Sequence, residues 1–233
     1  MFLINKKRAN FILLSITFSI LISSLNQDFI PVNTLPVTNH SIILDAGHGF
    51  PDGGATGNDG SIESNLNLEI CLKLQNLLEA SNCTVFLTRS DENGIYENSA
   101  NSIRDKKISD MKNRLNLSKE LNSDIFVSIH MNKLNISKYY GFQTFYKNND
   151  EKSKNLANKI QQNLNTYIDN TNTRKIKPIS DIYLAKHIIT PFVLVECGFL
   201  SNINENKLLQ DPTYQNKLAW SIYTGIMDYF KEL

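Results

Sequence analysis

The sequence is poor in cysteine: Cys71, Cys83 and Cys197 make an odd set of three, and no two stand at CxxC spacing. That excludes a disulfide framework and a paired-cysteine metal or redox motif. Cys71 falls among helix-like apolar positions, Cys83 just before a strand and Cys197 beside a strand-end glutamate, all suited to small buried hydrophobes. A thiol nucleophile at Cys197 is the lesser alternative. Charge of one sign is also missing. Lys plus Arg number 24 against 23 Asp plus Glu, and no dense basic stripe with interleaved aromatics occurs, which argues against a nucleic-acid partner. Internal repeats, heptad runs and low-complexity tracts are absent as well.

What is present reads as a globular chain. Hydrophobic residues make up 41% and charged residues 20% of it, the balance of a folded domain rather than a disordered segment. The first 40 or so residues stand apart. Lys6, Lys7 and Arg8 precede a mostly apolar run from Phe11 to Leu25, the layout of a secretory signal. That run is short of the roughly 20 residues of a comfortable membrane span, yet no small-x-small cleavage site marks Ser23 or Ser24. Residues 1–25 are therefore read as a signal peptide or an uncleaved signal anchor, the only expected membrane contact. No cysteine follows that would mark a lipoprotein, and a buried N-terminal helix fits the basic cluster less well. Residues 26–40, with Pro31 and Pro36, read as an extended linker, and residues 41–233 as one domain with a core of its own.

The domain is organised around Ser41 to Glu63, SIILDAGHGFPDGGATGNDGSIE. A short apolar run breaks at Asp45 into a turn-rich loop holding His48, and the loop closes at Glu63, where a helical pattern starts. From Glu63 to Ala80, Leu66, Ile70, Leu74, Leu77 and Leu78 are spaced three and four apart, which predicts an amphipathic helix. Thr84 to Thr88 reads as a buried strand, Met111 to Leu121 as a second helix and Asp124 to Ile129 as a strand running into His130; Ser90 to Ser109 receives no assignment. Gly141 to Tyr146 reads as a strand and Ser153 to Tyr167 as a helix. Lys175 to Ala185 reads as loop with a short strand, Phe192 to Val195 as a last buried strand ending on Glu196, and Asp211 with Pro212 as the start of a C-terminal helix. Strands alternating with helices predict an α/β domain whose mostly parallel, twisted sheet is flanked by helices on both faces. Sites in such sheets assemble beyond the carboxyl ends of the strands, where His48, His130 and Glu196 are all expected.

Two histidines and a carboxylate with one position left open are a zinc set used for hydrolysis. His48, Glu63 and His130 can supply that set. A second carboxylate near the open position can take a proton from the attacking water and pass it to a leaving nitrogen, and Glu196 is placed for that. The pattern alone does not say which glutamate binds metal and which moves protons. His40 and His187, isolated in loops, are left out as surface residues. Arg89 is expected to pair with Asp91 or another loop carboxylate, and Asp45 to fix the loop around His48 by accepting backbone or imidazole protons.

These residues resemble a family. DAGHG, Glu63 fifteen positions after the histidine, LTRSD at Leu87 to Asp91, Arg114, DIFVSIHMN at Asp124 to Asn132, GFQTFY, and PFVLVECGFLSN at Pro191 to Asn202 are similar to the zinc-dependent N-acetylmuramoyl-L-alanine amidases of bacterial cell walls, from about Ile42 to the C-terminus. The resemblance puts His48 and His130 on the family's zinc histidines, Glu63 on its carboxylate ligand and Glu196 on its catalytic glutamate. It implies zinc as cofactor and peptidoglycan as substrate, cut at the amide between the lactyl group of N-acetylmuramic acid and L-alanine.

Phe50 and Lys175 stand where many relatives carry glycine, changes expected to alter the groove. The short connection from His130 to Gly141 leaves little room for the blocking helix some relatives insert. An exported single domain with VECGFLSN looks most like the sporulation-associated branch, in which stem peptides are trimmed so that cortex muramic acid becomes muramic-δ-lactam and a helper lipoprotein can be needed. Such a protein works outside the cytoplasmic membrane, in the cell wall or the forespore intermembrane space. The rival readings are a zinc carboxypeptidase on wall peptides, disfavoured because Gly49 to Gly54 holds no glutamate, and a metal-free peptidoglycan-binding module.

Overall fold

The computed structural model describes residues 39–233; the expected leader and all but the last two linker residues lie outside them. The chain runs β1 (Ser41–Ala46), α1 (Glu63–Glu79), β2 (Thr84–Leu87), α2 (Ile103–Leu121), β3 (Ile125–Asn132), β4 (Gln143–Lys147), α3 (Glu151–Tyr167), β5 (Lys177–Ile179), α4 (Tyr183–His187), β6 (Phe192–Phe199), α5 (Ile203–Leu209) and α6 (Pro212–Phe230). Six strands form one sheet in the order β2-β1-β3-β6-β4-β5. β1, β2, β3 and β6 are parallel. β4 lies antiparallel to β6 and carries β5 parallel to itself, so the sheet is mostly parallel, as expected.

Both faces of the sheet are covered, which is why its central strands are apolar on both sides. Ile42, Leu44, Ile125, Val127, Ile129, Val193 and Val195 join residues of α1, α3 and α6 in the larger core, including Leu74, Ile160 and Ile222. On the opposite face Ile43, Phe126, Phe192 and Leu194 join Leu115 of α2 and Leu184 and Ala185 of α4 in a smaller one. Asp45 and Ser128 are register partners and share that second face with Ile43 and Phe126, since side chains alternate along a strand.

Several elements differ from expectation. α2 starts at Ile103, eight residues before Met111, because its first turns are mostly charged and exposed and carry no apolar stripe. The start is fixed instead by Ser102, whose hydroxyl accepts from the Asp105 amide at 3.0 Å. α5 was not expected; Asn202 caps it by accepting from the amides of Asn204 and Glu205. β3 and β6 run on through His130 and Glu196 to Asn132 and Phe199, so these two residues lie within strands rather than beyond them. Cys71, Cys83 and Cys197 are buried thiols. Burial holds the Cys197 thiol well above its ordinary pKa, which removes it as a nucleophile.

Arg114 of α2 is fully buried against the sheet. It donates to the carboxylates of Asp45 and of Asp110, while Thr88 and Ser128 also donate to Asp45. Asp45 therefore accepts from Arg114 of α2, Ser128 of β3 and Thr88 just beyond β2 and not, as expected, from the loop around His48. Burial opposes the charge on Asp45, but Arg114 and Ser128 outweigh it and hold the carboxyl below its usual range. The resulting stabilisation is complete above the unfolded-state pKa of about 4 and is lost as pH falls toward the folded-state value. Asp45→Asn is expected to cost about 3–5 kcal/mol at neutral pH, as for breaking a buried ion pair, and to flatten the loss of stability in acid. Urea denaturation across pH measures both.

Candidate metal and active site

His48 leaves the end of β1 on a loop that folds back under it. Its backbone is left-handed, with φ of 62°, a conformation that a non-glycine residue keeps only where surroundings over-determine it. Here two arginines do so. Arg89 donates from Nε to the carbonyls of Ala46 and His48 at 2.9 and 2.8 Å, and from Nη2 to Gly47 and Ser64. Arg114 donates to the same Ala46 and His48 carbonyls. Arg89 reaches the carbonyl of Asp91, not its carboxylate, so its role is structural as expected but its partners are backbone.

The three residues expected as metal ligands come together. His48, Glu63 and His130 each offer one ligand atom, and these atoms lie within 4.8 Å of one another. Glu63 Oε1 is 3.0 Å from His130 Nδ1 and 3.4 Å from His48 Nε2. The two imidazoles meet edge to face, with centroids 5.0 Å apart. Two glycines make room. A Cβ on Gly47 would overlap the His130 ring, and one on Gly54, whose φ is +70°, would fall 2.5 Å from Glu63 Oε2.

The two glutamates have opposite surroundings. Glu63 opens α1 and is buried, yet both its oxygens are held by backbone amides: Oε2 by Ala55 at 2.7 Å and Oε1 by Met131 at 3.1 Å. Burial opposes its charge, but His130 and His48 outweigh burial and hold the carboxyl well below the usual range. Glu196 is the register neighbour of His130, and its Oε2 is buried with no hydrogen-bond partner among the described residues. Burial pushes it up to about 7, with His130 and His48 pulling down and Glu63 pushing up. One carboxylate is fixed as an anion; the other can exchange a proton near neutrality.

Sequence reasoning passed over Asp52. Its Oδ2 lies 3.0 Å from Nδ1 of His48, and Lys107 of α2 grips its Oδ1 at 2.8 Å. This leaves Nε2 of His48 pointing at Glu63 and fixes the ring on its far side. The signal was present as an acid four residues after the histidine, but a turn rich in glycine and proline hides such a contact. Glu205 was missed as well; it accepts from the amides of Gly141 and Phe199 and ties the β3–β4 connection to the end of β6. Asn202, besides capping α5, donates to the Ser137 carbonyl.

Comparison with known proteins agrees with this geometry. Residues 42–228 match the family described as N-acetylmuramoyl-L-alanine amidase. The germination-specific N-acetylmuramoyl-L-alanine amidase of Bacillus subtilis is 36% identical over 199 residues, covering 85% of this chain and 83% of the relative. Among solved structures, the CwlD amidase from Clostridioides difficile in complex with the GerS lipoprotein is 48% identical with a TM-score of 0.80, over 82% of this chain and 98% of that one. The catalytic domain of CwlV, an N-acetylmuramoyl-L-alanine amidase from Bacillus (Paenibacillus) polymyxa var. colistinus, is 30% identical with a TM-score of 0.68, over 82% and 97% of the two chains.

Asp52 holds the His48 ring, and Asp52→Asn is expected to weaken any metal binding by the His48, Glu63 and His130 group about 10–100-fold while the circular dichroism spectrum stays the same. Calorimetric zinc titration reads this directly, and unchanged affinity would remove Asp52 from the site.

Proposed function

The chain belongs to the N-acetylmuramoyl-L-alanine amidase family and is a peptidoglycan amidase of that kind, and from that premise we propose a zinc-dependent hydrolysis in which His48, Glu63 and His130 hold the ion and Glu196 carries the proton. The donor set fits zinc: two imidazole nitrogens and one carboxylate oxygen within reach of a common point, the number and type used where one position is left to the reaction. When bound, zinc supplies Lewis acidity to the scissile carbonyl and to the attacking water.

The opposed environments of the two glutamates carry this reading. Glu63, anchored by two amides and held ionised, suits a ligand that must stay charged. Glu196, with one oxygen unpartnered and a pKa of about 7, suits a group that gains and loses a proton each turnover. Glu196 takes the proton of the attacking water as the carbon–oxygen bond forms. It returns that proton to the amide nitrogen as the carbon–nitrogen bond breaks, releasing a lactyl carboxylate and the free amino group of the stem peptide. Asp52 and Lys107 keep the His48 ring fixed throughout.

The finer reading is stem-peptide removal in spore cortex maturation, ahead of muramic-δ-lactam formation, carried out outside the cytoplasmic membrane by a protein exported through residues 1–25. Its support is the likeness to a germination-specific amidase and to CwlD. The latter was solved with a lipoprotein, and a lipoprotein partner is accordingly part of the proposal.

The test is incubation of the full-length chain and zinc with intact muropeptides, followed by mass spectrometry. Whole stem peptides are the expected products. Glu196→Gln is expected to lower turnover about 10²–10⁴-fold with zinc content unchanged. Release of terminal residues alone would indicate a carboxypeptidase, and full activity of Glu196→Gln would sink the proton-transfer role.

A further inference from the structure

The sheet register orders the site along one line. His130 of β3 pairs with Glu196 of β6, and Glu196 pairs in turn with Gln143 of β4, so the three side chains share one face in a row. Beyond Gln143 comes β5. Gln143 is joined to the segment leading into it, donating from Nε2 to the Lys175 carbonyl at 2.7 Å, and Lys177 pairs with Phe145 on the same face. Here a groove of about 500 Å³ opens.

Its lining is one-sided in charge. Lys138, Arg174, Lys175 and Lys177 contribute to it, Tyr139 and Tyr140 add exposed aromatic surface, and no acid is among its lining residues. In a chain whose net charge is only +1, four cations without an acid are a local excess. Lys175 and Lys177 are exposed, and neither is in an ion pair among the described residues. Arg174 is held in place, donating from Nε to the Tyr140 carbonyl at 2.9 Å and stacking 4.6 Å over the Phe199 ring. A lysine on an edge strand also discourages strand-to-strand pairing, which is reason enough for Lys177 alone. It does not account for Lys175, which precedes β5, or for the tyrosines.

The direction of the reaction says what enters the groove. Glu196 protonates the leaving nitrogen, so that nitrogen lies against Glu196, and it is the first atom of the stem peptide. On the histidine side of Glu196 lies a smaller cavity of about 240 Å³ lined by His48, Tyr96, Lys107 and His130, which the acyl side of the bond faces. On the other side lie Gln143 and the basic groove. We propose that this groove receives the stem peptide beyond L-alanine and pairs with its free carboxylates, with Lys175 and Lys177 as specificity-determining residues.

The inference rests on the amidase reading, and two substrates separate the fate of each. One is a muropeptide with free stem-peptide carboxylates, the other the same compound with those carboxyls amidated. The full-length zinc-loaded chain is expected to prefer the free acid by about tenfold in kcat/KM, the size of two solvent-screened ion pairs. The double variant K175G/K177Q is expected to lose that preference through a fall in kcat/KM on the free-acid substrate. Binding of the released free-acid peptide, followed by calorimetry, is expected to weaken about tenfold in the variant and with added salt. Equal cleavage of both substrates by the parent, equal losses on both in the variant, or peptide affinity unchanged by the substitutions overturns the proposal. An anionic wall polymer held through these lysines, with the free-acid peptide bound no better than its amide, does the same. Failure to release stem peptide from either substrate, with lysine-dependent peptide binding intact, would instead count against the amidase reading.

Discussion

The site depends on two buried guanidinium groups that capture the backbone of one short loop. Arg89 and Arg114 together accept no freedom at the carbonyls of Ala46, Gly47 and His48, all of which point inward to them. Neither arginine is exposed enough to be satisfied by water, so the loop cannot relax without leaving a charge unsolvated, at a cost of several kcal/mol. Asp45 and Asp110 balance the two positive charges, which makes the cluster neutral as a unit. Its effect is mechanical: His48 is held in a left-handed backbone conformation and its ring is presented from behind. Asn67 of α1 adds a further donor to the Gly47 carbonyl at 3.1 Å, joining the helix that carries Glu63 to the same loop.

The remaining precision comes from the sheet. Placing His130 and Glu196 inside adjacent parallel strands gives them a spacing set by the backbone ladder rather than by a flexible connection. The register shift between His130 and Asn132 sets two residues of β6, Cys197 and Gly198, against Met131 of β3, and there the Met131 amide turns to Glu63. Irregularities of this kind recur next to active sites because they re-aim one group while leaving the rest of the strand paired.

Much of this was legible in the sequence. The α/β alternation and the C-terminal helix capped by Asp211 follow from apolar periodicity and turn signals, strand-end and helix-start placement made His48, Glu63 and His130 candidates, and the family resemblance set the three on ligand positions. The parts that were not legible share a physical cause: they are fixed by polar contacts rather than by apolar burial. The first turns of α2 are held by a serine cap and carry no stripe. Arg89 was expected to find a carboxylate, yet it finds carbonyls, because backbone direction cannot be read from residue types. Asp45 was expected to serve the nearby loop, but its strand turns the side chain to the α2 face, where Arg114 waits. Asp52 sits in a turn whose glycines and single proline, Pro51, report that the chain bends and not where its side chains end.

Composition could not assign the two glutamates either, and the reason is general. Both are acids beside the same two histidines, but only Glu63 lies against them, with Oε1 3.0 Å from His130 Nδ1 and 3.4 Å from His48 Nε2. Backbone amides add to that difference. Ala55 and Met131 donate to Glu63, and a carboxylate with such donors on both oxygens has its charge stabilised whatever else is bound. Glu196 is flanked by strand neighbours paired in the ladder and its Oε2 has no donor among the described residues, so burial outweighs the pull of His130 and His48 and the neutral form becomes competitive. Roles follow in part from which residue stands where free N–H groups point: a helix start and a bulge supply them, and the paired middle of the sheet does not. The division between a fixed anion and a titrating acid is thus a property of the fold around the two positions.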